Sequence, residues 1–186
     1  VGKPDIIIDS GKFVIDSLNF KGYVLFSKAP SGNYYIHLKH RNALETWSRE
    51  GGIDYVKGVT YNYNFTTSSS QAYGSNEVLK GTKYCLYSGD ITDFDIIDLN
   101  DLVPVYNDLR NYVTGYKNTD LTGDRFVDLA DLLVIYQNSS GFVRRKAPPG
   151  VSPFSKDTGI RRQVKIIVPE EIRETEKEEP VTIIRK

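Results

Sequence analysis

Apolar and polar residues alternate in short runs through the first half of the chain. Glycine, proline and asparagine residues separate these runs, as turn residues separate neighbouring strands. Runs rich in Tyr, Val and Ile fall at residues 12–18, 22–27, 33–39, 60–65 and 83–87. Many short strands with turns between them predict an antiparallel β-sandwich over residues 1–89.

From residue 90 the pattern changes to an internal repeat with a period of 30 residues. Each copy is an acidic loop followed by apolar residues at i, i+3, i+4 and i+7, which predicts an amphipathic helix. The apolar positions are Leu99, Leu102, Val103 and Tyr106 in the first copy, and Leu129, Leu132, Leu133 and Tyr136 in the second. Because one helix cannot bury such a face alone, we expect residues 102, 103 and 106 to pack on 132, 133 and 136 with pseudo-twofold symmetry.

The acidic loops match the twelve-residue calcium loop of an EF-hand, which supplies oxygens from positions 1, 3, 5, 7, 9 and 12. In the second loop these positions are Asp120, Thr122, Asp124, Phe126 through its carbonyl, Asp128 and Asp131. In the first loop they are Asp90, Thr92, Ile96 through its carbonyl, Asp98 and Asp101, while Phe94 occupies position five and offers no side-chain oxygen. The spacing therefore predicts Ca²⁺ as the cofactor.

Both loops differ from the EF-hand consensus at the sharp turn. Position six, usually glycine, is Asp95 in one loop and Arg125 in the other. A left-handed conformation there costs roughly 1 kcal/mol for a residue with a Cβ atom. Position twelve is Asp in both loops, which closes the site less fully than the longer Glu. We therefore rank the second loop as the better calcium site. The alternative is a pair of solvated helices that are simply capped by aspartate.

Two loop-plus-helix calcium repeats without the incoming helix of an EF-hand resemble a dockerin domain. This resemblance implies calcium in both loops and a helix surface that binds a cohesin-like partner. The partner-reading positions, ten and eleven, are Leu99-Asn100 and Leu129-Ala130, where cellulosomal dockerins carry small polar residues. The chain is more similar to the dockerin-like repeats near the C-termini of large secreted proteins of Bacteroidetes-type bacteria. Residues 34–48 resemble the module before those repeats, so the resemblance covers roughly residues 12–145.

The pattern divides the chain into a β-sandwich module at 1–89, dockerin-like repeats at 90–146 and an extended or partner-docked tail at 147–186. Ser88-Gly89 leaves almost no linker, so we expect a fixed relation between the first two modules. The tail carries two β-branched runs, 164–168 and 181–184, with a charged spacer between them. Such runs lack a sheet of their own, and we expect at least one to add as a strand to a sheet edge in this chain or a partner.

The remaining features mainly exclude functions. Net charge is zero, which implies no bulk attraction to nucleic acid, and no apolar run approaches the length of a membrane span. His37 and His40 lie three apart on a predicted strand, so their rings should point to opposite faces, and we interpret them as polar residues of a half-exposed sheet and not as a metal site. Cys85 is expected to be a buried strand residue, and Trp47 a core or contact residue. No catalytic constellation appears, so the chain is not expected to be an enzyme.

Together these observations predict a non-catalytic, secreted module for protein attachment or assembly outside the cell or at its surface. The chain begins with Val1 and contains no Met, which indicates a processed or excised product. Two alternatives stay open. One is an accessory module of an extracellular enzyme that contacts polysaccharide through Trp47 and tyrosines. The other is a structural subunit of a surface layer or filament.

Overall fold

A computed structural model describes residues 6–16, 18–151 and 179–185. The strands are β1 (Ile7–Phe13), β2 (Gly32–His40), β3 (Ala43–Trp47), β4 (Ile53–Tyr55), β5 (Val78–Lys80), β6 (Lys83–Cys85) and β7 (Glu179–Arg185). One sheet has the strand order β1-β7-β2-β3, with β4 also paired to β2, and β5 and β6 form a separate hairpin. The helices are α1 (Leu99–Arg110) and α2 (Leu129–Ser140), and three single 3₁₀ turns lie at Phe65–Thr67, Ser69–Gln71 and Tyr73–Ser75.

The fold is mixed α/β, and the prediction of a β-sandwich followed by a separate all-α domain is wrong. Two of the expected strands, 22–27 and 60–65, join no sheet. In the first, Tyr23 and Leu25 stay 81% and 85% exposed, so no buried face holds the run in a ladder. In the second, Asn64 caps the first 3₁₀ turn through its side chain, a local bond that competes with strand pairing.

The sheet and the helices share one hydrophobic cluster, so no division into domains is indicated within the described residues. Leu44 of β3 is fully buried together with Ile97, Val105, Val127 and Ile135. Backbone bonds from Leu44 N to the Tyr87 carbonyl and from Gly89 N to the Asn42 carbonyl join the strands to the start of the first loop. These contacts fix the sheet against the helices, as the short 88–89 join predicted.

The two helices contact each other, but their buried faces differ from the predicted ones. Val105 and Ile135 are fully buried, and Leu102 and Leu132 pack against the same cluster, as expected for the latter two. The other predicted contact residues, Val103, Tyr106, Leu133 and Tyr136, are 53%, 44%, 55% and 62% exposed. The cause is the inward carboxylate at the start of each helix, Asp101 or Asp131, which turns the following i+4 residue into the core.

The pseudo-twofold relation between the repeats is confirmed by their backbone hydrogen bonds. Ile97 N donates to the Val143 carbonyl, and Val127 N donates to the Val113 carbonyl, with N–O distances of 2.8 and 3.0 Å. Each donor follows the acidic-loop turn of one repeat, and each acceptor follows the helix of the other. Each repeat therefore donates one such backbone hydrogen bond to the other, as the 30-residue sequence period implies.

The tail returns to the sheet as β7. Residues 181–184 are paired with β1 on one side and with β2 on the other, antiparallel to both. Pro180 is opposite Lys12 of β1 but has no partner in β2, which suits a residue without an N–H. The prediction that one run adds as a strand is confirmed for 181–184, although the strand lies inside the sheet instead of at an edge. The run 164–168 lies outside the described residues.

Candidate functional site

The last aspartate of each loop ties the loop to its helix. Asp101 Oδ1 accepts hydrogen bonds from the backbone N–H of Ile91 and of Thr92, at 2.9 and 2.8 Å. Asp131 Oδ1 does the same for Leu121 and Thr122, at 2.7 and 2.8 Å. The second oxygen of each carboxylate accepts from the N-cap residue of its helix and completes a capping box. Both carboxylates are fully buried.

The first aspartate of each loop shapes the turn. Asp90 Oδ1 accepts from Phe94 N at 3.1 Å, and the two oxygens of Asp120 accept from Gly123 N at 2.6 Å and Arg125 N at 3.2 Å. Position six adopts a left-handed conformation without glycine, as predicted, with φ of 63° at Asp95 and 74° at Arg125. The aspartate bonds thus hold a backbone that the residues themselves disfavour.

The other predicted ligands lie around the same loops. Thr92 Oγ1 donates to Asp101 Oδ1 at 2.7 Å, and Thr122 Oγ1 lies 3.5 Å from Asp120 Oδ1. Asp98 and Asp128 accept from Asn100 N and Ala130 N as helix N-caps, and Asp124 accepts from Phe126 N. Ile96 and Phe126 form isolated bridges with Arg144 and Thr114.

The structure does not gather these side chains into a metal cage. Across the described ranges, no group of three or more His, Cys, Asp or Glu side chains is arranged to hold a metal ion. Calcium therefore stays a prediction. The alternative of aspartate-capped helices describes Asp98 and Asp128 correctly, but it does not account for Asp101 and Asp131, which are buried and not solvated.

Negative charge is concentrated in the first loop. Burial, together with the nearby charge of Asp101, raises the pKa of Asp90 to about 7. A cation bound close by would favour the charged form of such a carboxyl group and relieve the repulsion. The donor set of this loop thus fits a hard divalent cation, although Phe94 leaves it one oxygen short of the second loop.

An arginine contacts each of the two loops. Arg41 Nη2, at the β2–β3 turn, donates to the Asp120 carbonyl at 3.1 Å and lies 3.9 Å from Asp120 Oδ2. Next to it, Asn42 Nδ2 donates to the carbonyls of Asn118 and Asp120. On the first loop, Arg145 Nε lies 3.3 Å from Asp95 Oδ1. The β2–β3 turn of the sheet is therefore hydrogen-bonded directly to the second loop.

A buried ion network continues from Arg145 into the sheet. Arg145 Nη1 donates to Glu45 Oε2 at 2.9 Å, and Glu45 also contacts Lys39 Nζ at 2.6 Å and His37 Nε2 at 3.0 Å. Burial alone would oppose its ionisation, but the hydrogen bond and charge of His37, with the charge of Lys39, hold the pKa of Glu45 well below its usual range. Sequence reasoning missed this network, and the one available signal was a Glu within the apolar run 43–47.

The predicted behaviour of three single residues can now be compared with the structure. His37 is buried and stacks on Trp47, with ring centroids 4.1 Å apart, so it is not the half-exposed polar residue expected. Trp47 is 2% exposed and belongs to the core, as predicted. Cys85 lies in β6 as predicted, but its side chain is exposed, so the expectation of burial is wrong.

Two matching rows of apolar side chains are exposed on the helices, and we call them the helix rows. One row is Leu99, Val103 and Tyr106, and the other is Leu129, Leu133 and Tyr136. Leu99 and Leu129, at the tips, are 67% and 70% exposed. Contiguous exposed apolar surface of this kind marks interaction sites on soluble domains. The repeat periodicity identified these residues, but it placed Val103, Tyr106, Leu133 and Tyr136 in the contact between the helices.

Comparisons with protein-family models, curated proteins and solved structures find no match. The similarity to dockerin domains therefore rests on the loop and helix motifs alone. Within the part of the chain that the structure describes, no helix combines the length and apolar character needed to cross a membrane.

Proposed function

We propose that this chain is a non-catalytic attachment module that acts outside the cell or at its surface, and that the helix rows bind a protein partner. The supporting observation is the exposure of the same three apolar positions on both helices. An isolated exposed leucine is ordinary, but two symmetry-related rows of Leu, Val and Tyr are not. Tyrosine, present in both rows, is among the residue types that contribute most of the binding energy at protein interfaces.

The pseudo-twofold relation gives the surface two equivalent orientations. Leu99, Val103 and Tyr106 occupy the positions of Leu129, Leu133 and Tyr136 after exchange of the repeats. A partner that recognises one row therefore also finds a near-copy of its target rotated about the pseudo-axis. The dockerin resemblance implies a cohesin-like protein as the partner. Because position ten of each loop is a leucine, Leu99 or Leu129, that partner should present an apolar patch.

We further propose that Ca²⁺ stabilises the repeats. In the second loop, Asp120, Thr122, Asp124, Asp128 and Asp131 with the Phe126 carbonyl would hold it, and in the first, Asp90, Thr92, Asp98 and Asp101 with the Ile96 carbonyl. The ion would offset the charge of the buried carboxylates at positions one and twelve. Its effect on binding would be indirect, because it orders the loops from which both helix rows begin.

The partner proposal is tested by affinity capture from the native extracellular fraction with immobilised chain. Val103→Asp and Leu133→Asp place a charge in each row, and Val59→Asp, at another apolar side chain that is 61% exposed, is the matched control. We expect one protein to be retained by the wild type and the control, and to be lost with the double row variant and in a chelator. Unchanged retention by the double row variant would refute the proposal.

The alternatives separate in the same measurement. A polysaccharide-contacting module would need exposed aromatic side chains on the sheet, but Trp47 is buried under His37 and Tyr35, so this alternative lacks its main contact. A structural subunit of a layer or filament would retain other copies of the same chain, and not a different protein, on the wild-type surface.

A further inference from the structure

The sheet contains a slot that a separate strand must fill. The strands β1 and β2 run parallel to each other, because β7 lies between them and is antiparallel to both. Among the described strands, β1 is paired only with β7. Without β7, β1 would leave the sheet, and residues 34–38 of β2 would present an unpaired edge. Such an edge recruits other strands through its free N–H and carbonyl groups.

The strand that fills the slot is joined to the rest of the described chain by a long segment. Residues 152–178 separate it from Val151, and a chain of that length spans up to ~90 Å when extended. That span greatly exceeds the ~20 Å length of a typical strand, so the slot of a second molecule lies within reach.

The chain carries two segments that match this slot. Residues 181–184, which are paired on both sides, read Val-Thr-Ile-Ile, and residues 164–167 read Val-Lys-Ile-Ile. The two segments are identical at three of four positions and differ only at Thr182 and Lys165. Backbone hydrogen bonds hold an added strand, and its alternate side chains determine specificity. A slot that accepts one of these segments therefore also suits the other.

We propose that the slot between β1 and β2 is a docking site for a Val-x-Ile-Ile strand delivered by a second copy of this chain. The inference rests on the assembly role proposed above and names the partner for this part of the molecule. Because one strand fills one slot, each tail in a row of copies fills its neighbour's slot with one of its two segments, so no slot inside the row stays empty. Exchange of identical strands between copies loses no contact, and this head-to-tail arrangement extends without closing.

The register of β7 provides a direct test with full-length chains. Ser10 lies opposite Thr182, and Lys165 occupies the place of Thr182 in the second segment. In a Cys85→Ser background, chains with Ser10→Cys are mixed with differently tagged chains carrying Thr182→Cys or Lys165→Cys and then mildly oxidised. Chains with Glu179→Cys serve as the control, because Glu179 lies opposite Phe13 and is three residues out of register.

We expect a disulfide between the two tagged chains in at least one mixture, in a yield that rises with concentration and exceeds the control at least tenfold. The double variant Ser10→Cys with Thr182→Cys in one chain reports whether the register itself is correct. If that variant closes within one molecule while both mixtures stay at the control level, the slot is filled only by its own chain and the proposal is overturned. Failure of the double variant to close would also overturn it.

The test of strand exchange can be separated from the test of the helix rows. The mixtures are repeated with Leu133→Asp on both chains, which removes an apolar contact on α2 and leaves the sheet intact. Cross-linking at the same yield shows strand exchange without any contribution from the helix rows. Conversely, capture of a partner by the helix rows with no cross-link leaves the attachment role in place and removes the strand-exchange step.

Discussion

At the scale of single residues, the aspartates at position twelve carry more of the structure than their motif suggests. Asp131 accepts three backbone N–H groups, from Leu121, Thr122 and Asp128, and is fully buried. Its removal would leave three donors in a dry environment without acceptors. Such losses are among the few that destabilise a domain by several kcal/mol.

We therefore predict that Asp131→Ala lowers the free energy of unfolding by about 3 kcal/mol even in a chelator, because the lost bonds are to the backbone. Asp124→Ala is the control, since Asp124 is exposed and accepts one bond from Phe126 N. Its cost should stay below about 1 kcal/mol. Urea unfolding followed by circular dichroism gives both values. Equal effects of the two changes would show that Asp131 acts only as a metal ligand.

A second residue-scale prediction concerns Glu77, whose carboxylate is buried and accepts no hydrogen bond from any of the described residues. Burial raises its pKa to about 8. The folded state therefore holds a proton that the unfolded state releases above its ordinary pKa, and stability falls as pH rises from about 4.5 to 8. Glu77→Gln should remove the Glu77 part of this slope, leave the part due to the raised pKa of Asp90, and make the protein more stable than wild type at pH 8. Unfolding measured from pH 5 to 8 checks it, and parallel curves for the two proteins would contradict it.

At the scale of elements, the sequence identified the helices, their caps and their twofold relation, because a repeated loop and a 3.6-residue period leave few alternatives. It misjudged which helix face is buried. In the first helix, either the apolar side chains at 99, 103 and 106 or the acidic side chain at 101 can face the interior. The carboxylate is the buried one, because it accepts hydrogen bonds from three backbone N–H groups there. A hydrophobic pattern predicts the buried face of a helix from its apolar residues alone, so it does not predict a buried carboxylate.

The incorrect prediction of a β-sandwich also has its cause at the scale of elements. The alternation at 60–65 and the tyrosines at 22–27 favour strands, but a strand also needs a neighbour and a buried face, and neither run has one. The run at 181–184 was recognisable as a strand from its β-branched residues. Its place between β1 and β2 depends on pairing across more than 140 residues of sequence, for which a local pattern carries no signal.

An element-scale prediction follows for β7. Ile183 is opposite Asp9 of β1 and Ile36 of β2, so a proline there removes a ladder donor from an interior strand. Ile183→Pro should expose the amides of β1 and of residues 34–38 to hydrogen exchange and leave α1 and α2 protected. Pro180→Ala is the control, because residue 180 has no partner in β2. Loss of protection in the helices as well would show that the sheet and helices unfold as one unit.

At the scale of the whole molecule, the sheet and the repeats are coupled at two places that differ in kind. The Asp95–Arg145–Glu45 network joins the first loop to the sheet through charges, and Asn42 joins the second loop to the β2–β3 turn through neutral hydrogen bonds to backbone carbonyls. Leu44, two residues further on, enters the core shared with the helices. A change in the second loop is therefore transmitted to the turn at residues 40–44 before it reaches β1.

This coupling gives the calcium proposal its sharpest test. Chelation should raise hydrogen exchange across residues 90–143 and at the 40–44 turn, while β1 and the rest of β2 change less, because β7 is paired with both of those strands. Asp120→Ala should weaken calcium binding more than Asp90→Ala, since the second loop has an oxygen at every ligand position and Phe94 interrupts the first. Asn42→Ala should leave calcium affinity within about threefold, as the side chain contacts only carbonyls, but should remove the response of the turn. Equal exchange with and without chelator across residues 90–143 would refute a structural role for calcium, and a larger effect of Asp90→Ala would reverse the ranking of the loops.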